Sequence, residues 1–319
     1  MMPGRIIWVG VFALLLLASS CDSGGAADEE TSPTESQEPF GAFQVELVAP
    51  FGTTPGFTSV LGKLNDGPTP SAIIWEEAAS SGFCTLLTPR VPFCEQGCGS
   101  DALCVEDGQC QAFPAAMTAG TVVVEGLQTT SGATSFSMDP VADNYQLSSG
   151  TSLPYPAFAE GDDITFTASG NASTAAFTMT AQGISPLDVA NDSIELVDGQ
   201  PALLEWTPPN QQEIADIAVT VDISFHGGTK GKIECEAPDT GSLELAAPLL
   251  DQLKALGFSG WPTVEITRRT IGTTDPGFPV ELAVEATVTK PVEIPGLISC
   301  DTDDQCPAGQ TCQADFRCQ

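Results

Sequence analysis

The chain has one histidine, two tyrosines and only ten lysines and arginines in 319 residues. Each shortage removes a class of function. A single histidine, His226, excludes a metal hydrolase built on two histidines. Ten basic residues against 42 acidic ones give a net charge of −32, so a phosphate backbone is repelled and nucleic acid is excluded as a partner. No Gly-x-Ser-x-Gly elbow occurs, which removes the esterase-type nucleophile. Beyond the first twenty residues the larger aromatics with a polar handle are Trp75, Trp206, Trp261, Tyr145 and Tyr155, a thin supply for a stacking surface.

What is present begins with an address. Arg5 precedes an apolar run that includes Leu14-Leu15-Leu16-Leu17 and closes on the small residues Ala18-Ser19-Ser20 before Cys21. The run is too short to span a bilayer and is followed at once by acid, so it reads as an export signal. The cysteine at the cut site resembles that of a bacterial lipoprotein signal, which implies lipidation of Cys21 and a membrane partner through the lipid. Residues 22–39 hold six acids, no base and no large apolar residue, so they read as a tether that buries too little surface to order itself. Asp22 resembles an inner-membrane retention signal, but the outer membrane or cell surface is the favoured location.

The chain then reads as mainly β. Phe43, Val45 and Leu47 alternate with polar residues in a region of N-terminal strands, 40–92, expected to pack on a central body. The body, 119–298, has the clearest period of two: Ile217, Val219, Val221, Ile223 and Phe225 share one phase, as do Val264 and Ile266, and Val280 through Val288. Trp206 shares a face with Leu204 and reads as core. Many short strands with Gly, Pro, Asn and Asp between them predict an antiparallel β-sandwich, and no repeat near ninety residues divides it in two. One helix is expected from Ala247 to Leu256, ending at Gly257.

Ten cysteines remain after Cys21, an even number in an exported chain and the arithmetic of five disulfides. Cys94, Cys98, Cys104 and Cys110 lie in a module at 93–112, and Cys300, Cys306, Cys312 and Cys318 in a second at 299–319. Both share a Cys-x5-Cys-x5-Cys run, with Asp107 and Asp315 in register. Modules this short have no core, so crosslinks supply their rigidity. The five-residue gaps are wider than zinc knuckles use, and export argues for disulfides over zinc. Each cluster has three possible pairings; first with third and second with fourth is the preferred one. That leaves Cys84 and Cys235 to pair across the chain. The alternative joins Cys84 to the nearby cluster and leaves Cys235 a buried thiol.

The leader, the acidic tether, CEQGCGSDALCVEDGQC and CDTDDQCPAGQTCQADFRCQ together resemble cysteine-bracketed lipoproteins of myxobacteria, and GKIECEAPDTGSLELAAPLLDQLKALG looks like a segment they carry within a β-sandwich. The resemblance implies location and fold and adds no catalytic residue.

Three features could carry chemistry. His226 opens His226-Gly227-Gly228-Thr229-Lys230-Gly231-Lys232, but Lys232 runs into a strand rather than Ser or Thr and a helix, so a phosphate loop does not fit. A glycine-rich turn with a basic tip does. Asp301, Asp303 and Asp304 look like the start of a calcium loop, yet Cys306 and Cys312 stand where glycine and glutamate are required, leaving at most a weak, irregular calcium site and no other cofactor. Trp261 and Tyr155, each beside a proline, are the candidates for a ligand-facing ring, with His226 as a third. The expectation is a non-enzymatic, lipid-anchored envelope or surface protein with a structural or partner-binding role. A glycan-binding adhesion module is the alternative, and an exported hydrolase of unfamiliar type the third reading.

Overall fold

Alternating apolar and polar residues produce nineteen strands in a computed structural model that describes residues 40–211, 213–274 and 279–319. The leader, Cys21 and the acidic segment to residue 39 lie outside the described residues. A first hairpin joins β1 (Gly41–Val48) to β2 (Phe57–Asn65), and a second joins β3 (Ile74–Ser81) to β4 (Cys84–Arg90). A short ribbon of β5 (Ala102–Glu106) and β6 (Gln109–Ala112) forms the first cysteine module. Next come β7 (Ala116–Met117), β8 (Val122–Glu125), β9 (Ser135–Met138), β10 (Asn144–Gln146), β11 (Asp163–Ala168) and β12 (Phe177–Gln182). Then follow β13 (Ile194–Glu195), β14 (Ala202–Glu205), β15 (Asp216–Asp222), β16 (Lys232–Pro238) and β17 (Ser242–Leu245). Helix α1 (Ala247–Ala255), β18 (Thr263–Thr273) and β19 (Val280–Glu293) close the order.

The main sheet runs β10-β2-β1-β19-β18-β15-β16-β4-β3, and a smaller sheet runs β12-β11-β8-β9. The strands of residues 40–92 enter the main sheet itself, β1 beside β19 and β4 beside β16. Most pairs are antiparallel, but β1 and β13 run parallel to β19. A parallel pair needs a long crossover, and here nearly the whole body separates β1 from β19 in sequence. One face of the main sheet supplies Phe43, Val45, Ile217, Val219, Val264, Ile266, Leu282 and Val284, all buried, and meets Val122, Val124, Ile164, Phe166 and Met179 of the smaller sheet in one continuous core. The sandwich is therefore a single body. Trp206 and Leu204 are in that core.

Helix α1 has Pro248 in its first turn, buries Leu249, Leu250 and Leu253, and hands over to Gly257 in the left-handed region. Leu256 is its C-cap and stays partly exposed rather than joining the buried stripe.

Two links tie the body together, one from the main sheet to the facing loops and one between neighbouring strands of the main sheet. Arg268 lies in phase with Val264 and Ile266, so its guanidinium points into the core, where it is 1% exposed. It donates from Nε to Asp239 Oδ2 (2.5 Å), from Nη1 to Ser185 and Pro186, and from Nη2 to Thr207 O (2.8 Å) and Asp239 Oδ1 (3.3 Å). Trp206 Nε1 donates to the same Asp239 (2.6 Å), so the buried charge pair has its hydrogen bonds filled. The second link is covalent. Cys84 and Cys235 face each other across β4 and β16 and form a disulfide that spans 151 residues of sequence.

Candidate functional site

The residues that converge lie where the sandwich meets the C-terminal cysteine module. β15 stops at Asp222 because that carboxylate accepts the Ser224 N–H (2.7 Å) and hydroxyl (3.0 Å), turning the chain. Phe225, expected to continue the inward phase, is therefore swung out and 44% exposed. His226 follows with φ of 63°, a left-handed conformation that a bulky residue adopts only where neighbours hold it. They do: Trp261 N–H donates to Phe225 O (2.9 Å), and Ser259 donates to Ile223 O and Gly227 O.

Gly260 is the hub. A Cβ there would lie 1.9 Å from Phe225 O, so only glycine fits. Its N–H donates to Asp315 O (2.8 Å) and its carbonyl accepts the Ser299 hydroxyl (2.5 Å), both from the C-terminal segment. The rings then gather: Phe225 against His226 at 4.1 Å, His226 edge-on to Trp261 at 6.1 Å, and Trp261 against Phe316 at 4.8 Å. Phe316 is also left-handed, with φ of 60°. Arg317 lies 6.0 Å over the Phe258 ring and bonds Asp315 Oδ2 through Nε (2.8 Å). The other oxygen, Asp315 Oδ1, is buried without a hydrogen-bond partner.

Of the three ring candidates, the structure brings His226 and Trp261 together and places Tyr155 elsewhere. Tyr155 is half-buried over Gly56, its Cγ only 2.8 Å from where a Cβ of that glycine would sit, and burial raises its hydroxyl pKa, with Asp188 adding to the rise. Phe225 and Phe316 complete the cluster. Phe316 has a readable signal: it is the only large apolar side chain in the coreless module 299–319, so it must dock outside it.

Among the described residues the His226 imidazole contacts the Phe225 and Trp261 rings. Asp301, Asp303 and Asp304 do not converge on a point. Asp303 instead accepts the Cys312 N–H (2.8 Å) beside a short 3-10 turn, Asp303–Gln305. The trios of metal-ligating atoms that do converge among the described residues, Cys94 with Cys98 and Cys104, and Cys300 with Cys306 and Cys318, consist of disulfide sulfurs. Those disulfides are Cys94–Cys104, Cys98–Cys110, Cys300–Cys312 and Cys306–Cys318. A disulfide sulfur is not a thiolate ligand, so neither trio offers zinc a donor. None of the described helices is long and apolar enough to cross a membrane.

No family model and no curated protein matches this sequence. Among solved structures it is similar to the FN1–FN3 domains of chicken CNTN1, with 7% identity, 73% of this chain and 70% of that one covered, and a TM-score of 0.18. A two-domain fibronectin type-III segment of chicken tenascin gives 14%, 67%, 97% and 0.18. A 1.5-MDa bacterial ice-binding adhesin gives 10%, 75%, 74% and 0.17. Superpositions this loose carry no argument about role, and the β-sandwich rests on the strand pairings themselves.

Proposed function

We propose that this chain is a non-enzymatic display protein of a bacterial envelope, held by a lipid on Cys21 and binding a partner through the aromatic junction. The observation that carries the reading is where the two ends of the body lie. Gly41 pairs with Val280 at the start of β19, whereas Thr263, two residues after Trp261, pairs with Pro291 near its end. Eleven residues of strand separate those levels, on the order of 35 Å. Phe40, where the described chain begins, thus lies at one end of β19 and the rings gather at the other, the arrangement a displayed recognition surface needs.

Two measurements test the reading. Labelling with a fatty-acid analogue followed by membrane fractionation checks the anchor: Cys21→Ala is expected to release the protein, and retention refutes the lipid. For the surface, Phe225→Ala with His226→Ala keeps the fold, because both side chains are exposed, and is expected to abolish adhesion of the bearing cells. Reproducible hydrolysis of an ester, peptide or glycoside, lost on a point change, would replace display with catalysis.

The gathered rings, with Phe225 and His226 exposed, favour a glycan as the partner over an unknown protein, since an exposed aromatic face is an apolar platform for a sugar ring. A glycan array probed with the mature chain checks this. Binding that the double variant loses supports a glycan, and binding that disappears only with a calcium chelator would contradict the scattered carboxylates of the C-terminal module.

A further inference from the structure

From the parallel pairing of β1 with β19 we infer that the sandwich is a shear clamp that carries tension between the tether and the aromatic end. The inference rests on the display reading for its biological sense, but its physics concerns the fold alone. β1 and β19 run parallel from Gly41 paired with Val280 to Glu46 paired with Glu285. A tether pulls β1 by its first residue. A partner at the far end pulls β18 and β19 from Thr263 and Pro291, which pair with each other. Parallel strands drawn by opposite ends slide along one another, so every ladder bond between them is loaded at once. Strands drawn from the same end peel, one bond at a time.

The residues of β1 fit that task. Just before its first residue the Phe40 N–H donates to Pro279 O (2.7 Å), and Phe40 O accepts the Asn65 N–H (2.7 Å), so the point of pull is held from both sides. Three side chains behind it, Phe43, Val45 and Leu47, are buried. Phe43 is socketed: its ring lies over Gly62, where a Cβ would come within 2.3 Å, and touches Tyr145 and Phe166 at centroid distances of 5.2 and 5.5 Å. Sliding β1 drags that ring past its walls before any bond is released singly. On the other side of β19, β18 is paired from Thr263 to Thr273, and Arg268 ties β18 to Asp239, Ser185 and Thr207. The strand being pulled is thus fixed along its length.

Single-molecule force spectroscopy on the mature, unlipidated chain reads this directly. Cys21 is its one cysteine outside the five disulfides and takes the first handle through its thiol. The second handle is attached through an azide-bearing residue at Thr289, near the far end of β19, or at Thr273, level with Glu281 at the near end. Both positions are exposed, and the body is otherwise unchanged. The Cys21–Thr289 geometry is expected to need about twofold more force or higher at equal loading rate, since forced unfolding follows the unfolding barrier along the pull. Equal forces in the two geometries, or a lower force for Thr289, overturn the clamp. Fractionation of Cys21→Ala tests the anchor without force, and these pulls need no membrane, so failure of either idea leaves the other standing.

Discussion

The two cysteine modules share a Cys-x5-Cys-x5-Cys run and a first-to-third, second-to-fourth pairing, yet one is docked on the body and the other is held only at the surface. In the C-terminal module Cys300 is 1% exposed, the Phe316 ring packs tilted against Trp261, and backbone bonds join module to body from Cys318 N–H to Ile298 O and from Gly260 N–H to Asp315 O. In the first module no cysteine is buried, and the neighbouring Val91, Phe93 and Phe113 are more than half exposed. Even the acids in register differ. Asp315 closes on Arg317 inside its own module, whereas Asp107 reaches out to Arg90 of β4 (3.2 Å) and accepts the Phe93 N–H (2.9 Å). Disulfides make each module rigid. What fixes a module to the body is a ring with a partner to stack on.

The strongest way to break the comparison is to loosen the body that both modules share. Arg268→Met strips the partner from Asp239, whose side chain is fully buried. Removing one member of a buried pair is expected to cost about 3–5 kcal/mol in urea unfolding, with the disulfides of both modules intact. A loss under about 1 kcal/mol would mean that the pair is not what ties β18 to the facing loops.

Next comes Trp261→Ala, which removes the docking ring from one module only. Full truncation of a buried tryptophan costs about 3–5 kcal/mol, and the half-burial of Trp261 brings the expectation to about 2–3. Hydrogen exchange at the Cys318 amide should quicken, because the module that carries it comes loose from its acceptor Ile298 on the body, while Gly108 N–H in the first module keeps its rate. Unchanged protection at Cys318 would show that the backbone bonds alone hold the module. The converse change, Cys98→Ser with Cys110→Ser, should open the first module locally and leave the unfolding midpoint of the sandwich where it was.

How much of this was legible in the sequence follows from range. Strand phase is local, so Ile217 to Val221 and Leu249 to Leu253 could be read from spacing. Equal cysteine runs announced equal modules, and the two cysteines they leave over face each other across β4 and β16. Phe225 was misread because period two does not reveal that Asp222 will turn the chain. Arg268 sits in phase with Val264 and Ile266, but an arginine at an inward position announces a partner without naming Asp239, some thirty residues away. The parallel seat of β1 beside β19 has no sequence signal at all, because pairing across 240 residues is settled by the assembled sheet. The aromatic site was half legible for the same reason. His226 and Trp261 stand out as lone residues beside glycine and proline, but their meeting depends on Gly260.

Acid distinguishes the body from its appendages more gently. Burial pushes the Glu160 carboxyl upward, but the Gln211 N–H, the Asn210 side-chain amide and the Asn210 N–H outweigh it and hold the pKa below its ordinary 4.5. A depressed pKa contributes stability that is present above the unfolded value and is lost as pH falls through the folded one. The clasp on residues 210–211 should therefore hold at neutral pH and release only below the ordinary carboxylate range. Exchange at the Gln211 amide, followed from pH 6 downward at about half-unit steps, is the readout. Glu160→Gln should flatten that acid limb, and an unaltered limb would assign it to another group.

The smallest effect is expected from salt, and it sharpens the contrast most directly. The first module is tied to β4 by Arg90, whose guanidinium pKa is raised by its bond to Glu76 and, after burial takes some back, by Asp107. That bridge lies at the surface, where added ions screen it. The C-terminal module is tied by Trp261 and Phe316, whose contact is apolar and gains slightly from salting-out ions. Raising sodium chloride from about 0.05 to 1 M shortens the screening length several-fold. Exchange at the Gly108 amide, which donates to Phe93 O beside Asp107, should then quicken modestly while that at Cys318 holds or slows. Arg90→Gln should give the high-salt rate already at low salt, because the charge that salt screens is gone. If both modules respond alike, the docking of the C-terminal module owes more to charge than to its stacked rings.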